Sequence, residues 1–296
     1  MNVLSNEVNE QTATAPESKE VKAHKRISRR RSIRVNIVRV LIFVVIVGGW
    51  ELFTRVGDPK HPIIDPFFWG QPSGIWNQLV TWVQQGTAQG PLWEQIAVTL
   101  EEAILGFIIG AVLGVIFGVV LGRNRFLSDI LGPYVKGFNS IPRVALAPLF
   151  AVGLGLGIQS KVALATVLVF FIVFFNAFQG VREVDRNLLA NARILGASPS
   201  RVTMSVILPS ALTWIFASLH TSFSFALVGA VVGEYVGAVQ GIGLMVQTAG
   251  ANFNANGVFA AMVILAVIAL LSEALITALE RRLLRWRPST IVEATI

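Results

Sequence analysis

Long apolar runs separated by short polar segments dominate this chain. A helix needs about 20 mostly apolar residues to cross a bilayer, and six segments come close to that length. The predicted spans are Val35–Phe53, Ile96–Leu121, Val135–Leu156, Val162–Gly180, Ala211–Val236 and Val258–Leu279. The pattern therefore predicts an all-α, polytopic membrane protein with six transmembrane helices.

The third predicted span is unlike the others because Pro142 and Pro148 interrupt it. Proline removes a backbone hydrogen bond and kinks a helix. Such a kink is tolerated in a membrane where the freed carbonyl faces protein or a water-filled path. We therefore expect this span to line a translocation path, with Asn139, Ser140 and Arg143 as candidate residues. Arg143 has two interpretations: a side chain that reaches the inner interface, or a cation that attracts an anionic substrate.

Basic residues are distributed unevenly between the two sides of the predicted bundle. With the N-terminus inside, the cytoplasmic segments contain Arg29–Arg31, Arg123, Arg125, Arg182, Arg186, Arg193, Arg201, Arg281, Arg282, Arg285 and Arg287. The outer segments contain Arg55, Lys60 and Lys161. Cytoplasmic loops of membrane proteins are rich in Lys and Arg, so we expect both termini to be cytoplasmic. The same rule accounts for the net charge of +7 without a nucleic-acid partner.

The segments around the spans complete the predicted organisation. Residues 1–34 are polar and basic and predict a disordered cytoplasmic tail, followed by an uncleaved first span over residues 35–54. Residues 55–93 predict an extracytoplasmic segment with an amphipathic interfacial helix, which begins at an N-cap at Ser73 and has Ile75, Leu79 and Trp82 on one face. Residues 94–282 form a core of five spans with a cytoplasmic loop at 181–209, and residues 283–296 form a cytoplasmic tail.

Composition agrees with the membrane class and excludes several chemistries. The chain is 54% hydrophobic and 14% charged, with a mean hydropathy of +0.66, and a soluble domain could not cover so much apolar surface. It has no cysteine, which excludes disulfides and thiolate sites, and its three histidines are too far apart in sequence for a metal site. The glycine-rich stretch 153–161 lacks the Gly-Lys-Ser/Thr ending of a phosphate loop. We therefore expect no cofactor in this chain and no enzyme activity.

Two features of the spans predict close contacts. Glycines recur every four residues at Gly106, Gly110, Gly114, Gly118 and Gly122, a ridge of small residues that predicts close packing against another helix. Glu234 lies near the outer end of the fifth span among further glycines. We expect it to line the mouth of the path or to pair with Lys161.

The loop between the fourth and fifth spans has well-placed helix signals. A helical pattern over residues 185–195 ends at Gly196, the residue type that best adopts the left-handed conformation of a helix C-terminus. Ser198 is then an N-cap and Pro199 the first residue of a second helix, while Pro209 precedes the fifth span. These signals predict a rigid connection, which suits a loop that transmits force from a cytoplasmic partner to the spans.

This loop resembles the Glu-Ala-Ala loop of permease subunits in ABC-type importers. The family pattern places Glu-Ala-Ala three residues before a glycine, and Ile-x-Leu-Pro nine residues after it. This chain has Ala190-Asn191-Ala192, then Gly196, then Val206-Ile207-Leu208-Pro209, so that alanine and asparagine replace the glutamate and the first alanine. The resemblance implies that an ATPase subunit binds residues of this loop, with Arg186, Asn191, Ala192, Arg193, Gly196, Ala197, Leu208 and Pro209 as the candidates.

Further stretches resemble the subfamily that imports nitrate, sulfonates and taurine, among them "NSIPRVALAPLF", "VREVDRNLLANARILGAS" and "VVGEYVGAVQGIGLMV". The resemblance implies a type I ABC importer permease in the bacterial inner membrane. It also implies the partners of that family in addition to the lipid bilayer. These are a second permease copy in a homodimer, cytoplasmic ATPase subunits that bind ATP and Mg²⁺, and an extracytoplasmic substrate-binding protein.

The substrate implied by this resemblance is a small anion such as a sulfonate, taurine or nitrate. One alternative is a heterocyclic vitamin or pyrimidine precursor, of the riboflavin or thiamine-precursor type. Another is a stand-alone secondary transporter, which would be expected to have inverted repeats and acidic residues at mid-membrane. An intramembrane enzyme would need a nucleophile with its base or a metal cluster, and the sequence has neither pattern.

Overall fold

The computed structural model describes residues 19–58, 61–62 and 64–283. The chain divides into two compact units, one up to Pro66 and one from Phe67 onward. In the first unit, helix α1 (Lys19–Arg55) precedes two short antiparallel strands, β1 (Gly57–Asp58) and β2 (His61–Pro62). The apolar part of α1, Arg34–Arg55, is long enough to cross a membrane, in agreement with the first predicted span. The predicted disordered tail is helical from residue 19, and residues 1–18 lie outside the described residues.

The remaining elements are helical. They are α2 (Pro66–Trp69), α3 (Pro72–Gln85), α4 (Leu92–Arg123), α5 (Arg125–Ser140), a 3-10 turn (Arg143–Leu146), α6 (Ala147–Leu154), α7 (Ile158–Arg182), α8 (Arg186–Ile194), α9 (Pro199–Val202), a π turn (Thr203–Ile207), α10 (Leu208–Val236), α11 (Ile242–Ala251) and α12 (Ala255–Leu283). Five helical runs are long and apolar enough to cross a membrane, and a bent pair makes a sixth if it is counted as one span. The predicted all-α architecture with six spans is confirmed in these terms.

The third predicted span, Val135–Leu156, is not a single kinked helix. Helix α5 ends at Ser140, and the second half of the span, Arg143–Leu154, turns away from it by 83°. Ile141 and Pro142 form the break in extended conformation. The first half also starts ten residues earlier than predicted, at Arg125, where Asn124 caps the helix by accepting from Leu127 N at 3.1 Å.

The glycine ridge packs against α7 along its length, as predicted. A Cβ added at Gly110 would lie 2.7 Å from Thr166 O, and one added at Gly114 would lie 2.8 Å from Val173 Cβ. Real Cβ atoms are not found so close to other heavy atoms, so glycine is required for the two helices to approach. Helices α4, α7, α10 and α12 enclose the main apolar core with Ala103, Val169, Val173, Phe223, Ala226, Leu227, Ala230, Ala261 and Ile264.

Helix α3 is the amphipathic helix predicted after the first span. Ile75 is buried, and Leu79 and Trp82 pack against the main core, which confirms the apolar face. The N-cap is Gln71 and not Ser73, because Pro72 occupies the first helical position, where a missing N–H has no cost.

Candidate functional site: the helical loop and the broken span

Helix α8 begins the loop that was predicted to bind a partner. Asp185 caps it, with its Oδ1 accepting from Asn187 N at 2.8 Å. Arg186 is the first residue of the helix, and its side chain lies outside the described residues. Asn191 and Arg193 are both exposed on α8, so these two candidate side chains are accessible to a partner.

The end of α8 confirms the prediction that Gly196 ends this helix in the left-handed conformation. Gly196 has a φ of 73°, in the left-handed region. Its N–H donates to Arg193 O at 3.0 Å, and Ala197 N–H donates to Ala192 O at 3.0 Å. These two bonds define a Schellman motif. Ala192 and Ala197 occupy the two positions of the motif that usually form its hydrophobic contact. Both pack against the local apolar cluster.

The second loop helix continues into the fifth span. Ser198 caps α9 by accepting from Arg201 N at 3.3 Å, and Pro199 is at the first turn. Helix α9, the π turn and α10 together form one helical run from Pro199 to Val236, 38 residues long. Leu208 and Pro209 lie in the first turn of α10, within this run. The second loop helix and the fifth span are therefore parts of one helical run.

The loop has a buried face and an exposed face. The buried face packs on the ends of α7 and α10 through Val181, Val184, Val202, Ile207 and Ala211. On the other face, Ile194 is 81% exposed, Leu195 85% and Met204 66%, with Arg193 and Arg201 beside them. Exposed apolar side chains surrounded by charge are typical of a protein–protein contact. We call Leu188, Arg193, Ile194, Leu195, Arg201 and Met204 the loop docking surface.

The broken span brings together Asn139, Ser140 and Arg143, the residues predicted to line a path. Asn139 and Ser140 are in the last turn of α5, where Ser140 Oγ donates to Lys136 O at 3.0 Å. Arg143 follows the break, and its guanidinium carbon lies 5.4 Å from the centre of the Phe171 ring on α7. Arg143 Nη1 is buried and has no hydrogen-bond partner among the described residues.

Glu234 does not line an open mouth. It is fully buried in this conformation, and its two oxygens accept hydrogen bonds in a local network. Three consecutive N–H groups at the start of α11, at residues 241–243, donate to buried side chains. The acceptors are, in order, Gln95 Oε1 at 2.8 Å, Thr99 Oγ1 at 2.9 Å and Glu234 Oε2 at 2.6 Å.

Further contacts complete this buried network. Thr99 Oγ1 donates to Glu234 Oε1 at 2.7 Å, and Glu102 is buried beside Glu234. Lys161 is also buried, and its amino group donates to the backbone carbonyls of Leu156 and Gly157. We call Gln95, Thr99, Glu102, Lys161 and Glu234 the buried polar cluster. Its position inside the helix bundle supports a structural role in holding α11.

One pairing was not foreseen from the sequence. His220, on α10, has Glu273 Oε1 at 2.7 Å from Nδ1 and Glu280 Oε2 at 2.9 Å from Nε2, both on α12. The seven-residue spacing of the two glutamates places them two turns apart on one helix face, which was the only sequence signal for this contact. The two carboxylates lie on opposite sides of the ring, and the described residues hold no group of three that could bind a metal ion.

Comparison with known proteins gives consistent similarities. The family model of the binding-protein-dependent transport system inner membrane component matches residues 110–285. A putative aliphatic sulfonates transport permease protein of Bacillus subtilis is 29% identical over 84% of this chain and 87% of its own length. The taurine transport system permease protein of Escherichia coli is 30% identical over 88% of this chain and 91% of its own.

A third relative points to another kind of solute. The riboflavin transport system permease protein of Chloroflexus aurantiacus is 38% identical over 69% of this chain and 76% of its own length. Among solved structures, the MetNI methionine ABC transporter in an inward-facing conformation has a chain that is 26% identical. Its TM-score is 0.52, with 66% of this chain and 93% of that chain covered.

Proposed function

Because the chain belongs to the family of binding-protein-dependent transport system inner membrane components, we propose that it forms the membrane path of an ATP-binding cassette importer for a small organic anion. The permease fold, the inner-membrane location and the absence of an enzymatic role follow from the family. The identity of the solute, the coupling residues and the composition of the dimer are the proposed parts.

The loop docking surface is the observation that carries the proposed coupling. A loop that needed only to connect two spans would not expose Ile194 and Leu195 to more than 80%. An ATPase subunit would cover this surface, and ATP and Mg²⁺ would be bound on that partner. Closure of two ATPase subunits would then move α8 together with the run Pro199–Val236, and the spans would alternate between outward- and inward-open states.

Two observations support an anionic solute. The relatives from B. subtilis and E. coli are named for aliphatic sulfonates and taurine, and both solutes carry a sulfonate group. At the break in the third span, Arg143 has a buried nitrogen without a partner among the described residues. A buried donor of this kind is costly unless it is satisfied, and an oxyanion at the break would satisfy it. The riboflavin relative supports a second candidate, a heterocyclic vitamin.

Exposed apolar side chains of the broken span support a dimer with a second copy of this chain. Val152 is 87% exposed and Leu149 63% exposed, both on α6. We infer that this half-span lies beside the path, and a second copy would enclose the path between the two chains. Since the chain has no cysteine, a single Val152→Cys variant is a clean probe of this contact.

The function is tested by co-purification followed by transport. The tagged permease is expressed with its ATPase subunit, and the double variant Ile194→Ser/Leu195→Ser is compared with wild type. We expect the ATPase to be retained by wild type and lost in the variant. Val239→Ser is the control, since Val239 is 79% exposed and lies outside the loop. If the wild-type permease purifies alone and an ion gradient drives uptake without ATPase, the chain is a secondary transporter and the proposal fails.

Transport then identifies the solute. The complex is reconstituted in liposomes with its binding protein, and ATP-dependent uptake of taurine, an alkanesulfonate, nitrate and riboflavin is measured. We expect uptake of taurine or of the alkanesulfonate, the two solutes that carry a sulfonate group. Uptake of riboflavin alone would replace the anion by the heterocyclic candidate while leaving the importer assignment intact.

A further inference from the structure

One face of α7 is aromatic and ends in an arginine. Two pairs of phenylalanines four residues apart, Phe171 with Phe175 and Phe174 with Phe178, lie on this face, and Arg182 follows four residues after Phe178. Neighbouring rings on this face contact each other, with centroids 6.5 Å apart for Phe171 and Phe175 and 6.0 Å apart for Phe174 and Phe178. From Phe171 to Arg182 the face extends about 16 Å along the helix, at 1.5 Å per residue.

Two arginines lie against this face near its two ends. The Arg143 guanidinium is 5.4 Å from the Phe171 ring centre, and that of Arg182 is 4.5 Å from the Phe178 ring centre. Stacking on a ring fixes the plane of a guanidinium and leaves its edge free to donate. Arg182 Nη2 uses part of its edge, donating to Ser128 Oγ at 3.0 Å, whereas Arg143 keeps a buried Nη1 without a partner in the described chain.

A cavity of about 440 Å³ lies at the loop end of this face, between α5 and α7. Its charged lining residues are Lys136, Arg182 and Asp129, and its floor includes Phe174 and Phe178. Two cations and one carboxylate leave a net charge of +1 on the lining. Lys136 lies on α5, seven residues before Arg143 and on the other side of the break. The cavity therefore adds a second cationic position to that at Arg143.

We propose that Lys136 and Arg182 form an exit site for the transported oxyanion, which leaves the break at Arg143 and passes along the aromatic face of α7 to this cavity. This inference rests on the proposed import of an anion and adds the residues that receive it at the loop end. The ligand is a small organic oxyanion whose charged group can accept two donors from a planar guanidinium, as a sulfonate or carboxylate can.

Successive weak sites suit passage better than one strong site. An ion must bind well enough to enter a path and weakly enough to leave it. Ser128 and Asp129 keep Arg182 and the cavity from holding an anion too tightly: the hydroxyl shares the guanidinium, and the carboxylate lowers the local positive charge. Of the aromatic rings between the arginines, Phe171 and Phe174 are buried, whereas Phe175 and Phe178 are partly exposed and offer the organic part of the solute an apolar surface without adding charge.

The same chemistry would suit the headgroup of an anionic phospholipid, since basic pockets between spans can bind such headgroups. A transported solute and a lipid headgroup in the cavity would affect different measured quantities. A solute in the cavity affects how many anions cross per ATP, whereas a lipid affects which phospholipids remain bound to the purified protein. The test therefore measures both.

The experiment uses the complete transporter in liposomes, with ATPase and binding protein, and radiolabelled taurine and an alkanesulfonate as probes. Variants Lys136→Gln and Arg182→Gln remove the charges, and Lys136→Arg and Arg182→Lys retain them. Arg282→Gln is the matched control, because Arg282 is exposed at the end of α12 and does not line the cavity. Maximal uptake, ATP hydrolysis stimulated by the binding protein, and co-purified phospholipid are measured for each.

We expect each charge-removing variant to lower maximal uptake about tenfold, the effect of losing one charged hydrogen bond, while stimulated ATP hydrolysis is retained. Fewer anions would then cross per ATP. The concentration for half-maximal uptake should stay the same, because the external binding protein sets it. Lys136→Arg should keep uptake within about twofold of wild type, since it preserves the cation. Arg182→Lys should lower uptake by an intermediate amount, because an ammonium group does not offer the two parallel donors of a guanidinium stacked on Phe178. A purely structural role would reduce uptake and ATP hydrolysis together.

Three results would overturn the exit site. Unchanged uptake in both charge-removing variants would show that the cavity is not on the path. Unchanged uptake with loss of bound phosphatidylglycerol or cardiolipin would assign the cavity to a lipid headgroup. If wild type transports no anion at all but does transport a neutral solute, the proposed anionic substrate fails as well, and that outcome is distinguishable from failure of the exit site alone.

Discussion

The loop at residues 181–209 and the buried polar cluster both cap helix ends, the first with residues nearby in sequence and the second with residues far away in sequence. Both must satisfy backbone groups at helix ends, which lack partners within the helix. In the loop, the Schellman motif at Gly196 and the Ser198 cap use residues within five positions of the helix end. At α11, the acceptors Gln95 and Thr99 come from a helix more than 140 residues away in sequence.

This difference leaves the loop accessible to a partner, whereas it makes the buried polar cluster important for the stability of the fold. Local capping leaves the outer face of the loop free, and its apolar side chains remain exposed for a partner. Long-range capping ties α4, α10 and α11 together and buries every acceptor. Changes in the buried polar cluster should therefore affect folding, and changes in the loop should affect coupling with little loss of fold.

The largest effect is expected for Glu234→Ala. It leaves Gly243 N–H without its acceptor and creates a cavity, while the Thr99 hydroxyl keeps Gln95 O as an acceptor at 3.1 Å. An unsatisfied buried group costs about 1–3 kcal/mol and the cavity adds to this cost, so we expect a loss of about 3 kcal/mol in the free energy of unfolding. Thermal unfolding in detergent measures it. Glu101→Ala is the control, because Glu101 is exposed one residue from Glu102. Equal stability of the two variants would show that the buried polar cluster does not stabilise the fold.

A smaller effect on stability and a larger one on coupling are expected for Gly196→Ala. A Cβ there would meet no atom within 4 Å, so the cost is conformational only. A non-glycine residue in the left-handed region costs about 1 kcal/mol. ATPase retention and ATP-driven uptake should fall while the unfolding temperature changes little. Gly250→Ala is the control, since Gly250 is equally open but has an ordinary φ. A fall in unfolding temperature as large as that of Glu234→Ala would argue against a separate coupling role.

The smallest effect is expected for Ser198→Ala. Loss of the N-cap oxygen costs about 0.5–2 kcal/mol in general, and the low end applies here because Arg201 N–H can bond to water at this exposed position. Coupling should weaken measurably, and Ser198→Asp, which retains a cap, should restore it. Ser200→Ala, in the same turn but without the cap contact, should behave as wild type in the uptake assay. Failure of the Asp rescue would show that the cap does not hold the loop in position.

Crosslinking tests which exposed apolar surface of the chain contacts the second copy. We expect Val152→Cys to form a disulfide-linked dimer under mild oxidation in membranes, whereas Leu270→Cys, 70% exposed on α12, should remain monomeric on a denaturing gel. Crosslinking at position 270 with none at 152 would place the second copy on a different face.

Features that depend on local sequence signals could be predicted from the sequence. The spans, the glycine ridge and the Gly196–Pro199 connection follow from periodicity, size and capping preferences over a few residues. The role of Glu234 could not be predicted, because its partners Thr99 and Gly243 become neighbours only after α4, α10 and α11 pack. The same holds for His220 and the two glutamates on α12. At the third span, Pro142 predicts a distortion, but its 83° size depends on tertiary packing, because the second half packs on α7 and the first half contacts α4.

The helical run Pro199–Val236 has a mechanical consequence. With 38 residues and a rise of 1.5 Å per residue, it is a rod about 57 Å long, with one end in the loop and Glu234 near the other. A tilt of about 5° at the loop would displace the far end by about 5 Å over that length. If an ATPase binds the loop as proposed, the run would act as a lever, so that a small displacement at the ATPase would become a larger one at the opposite membrane face.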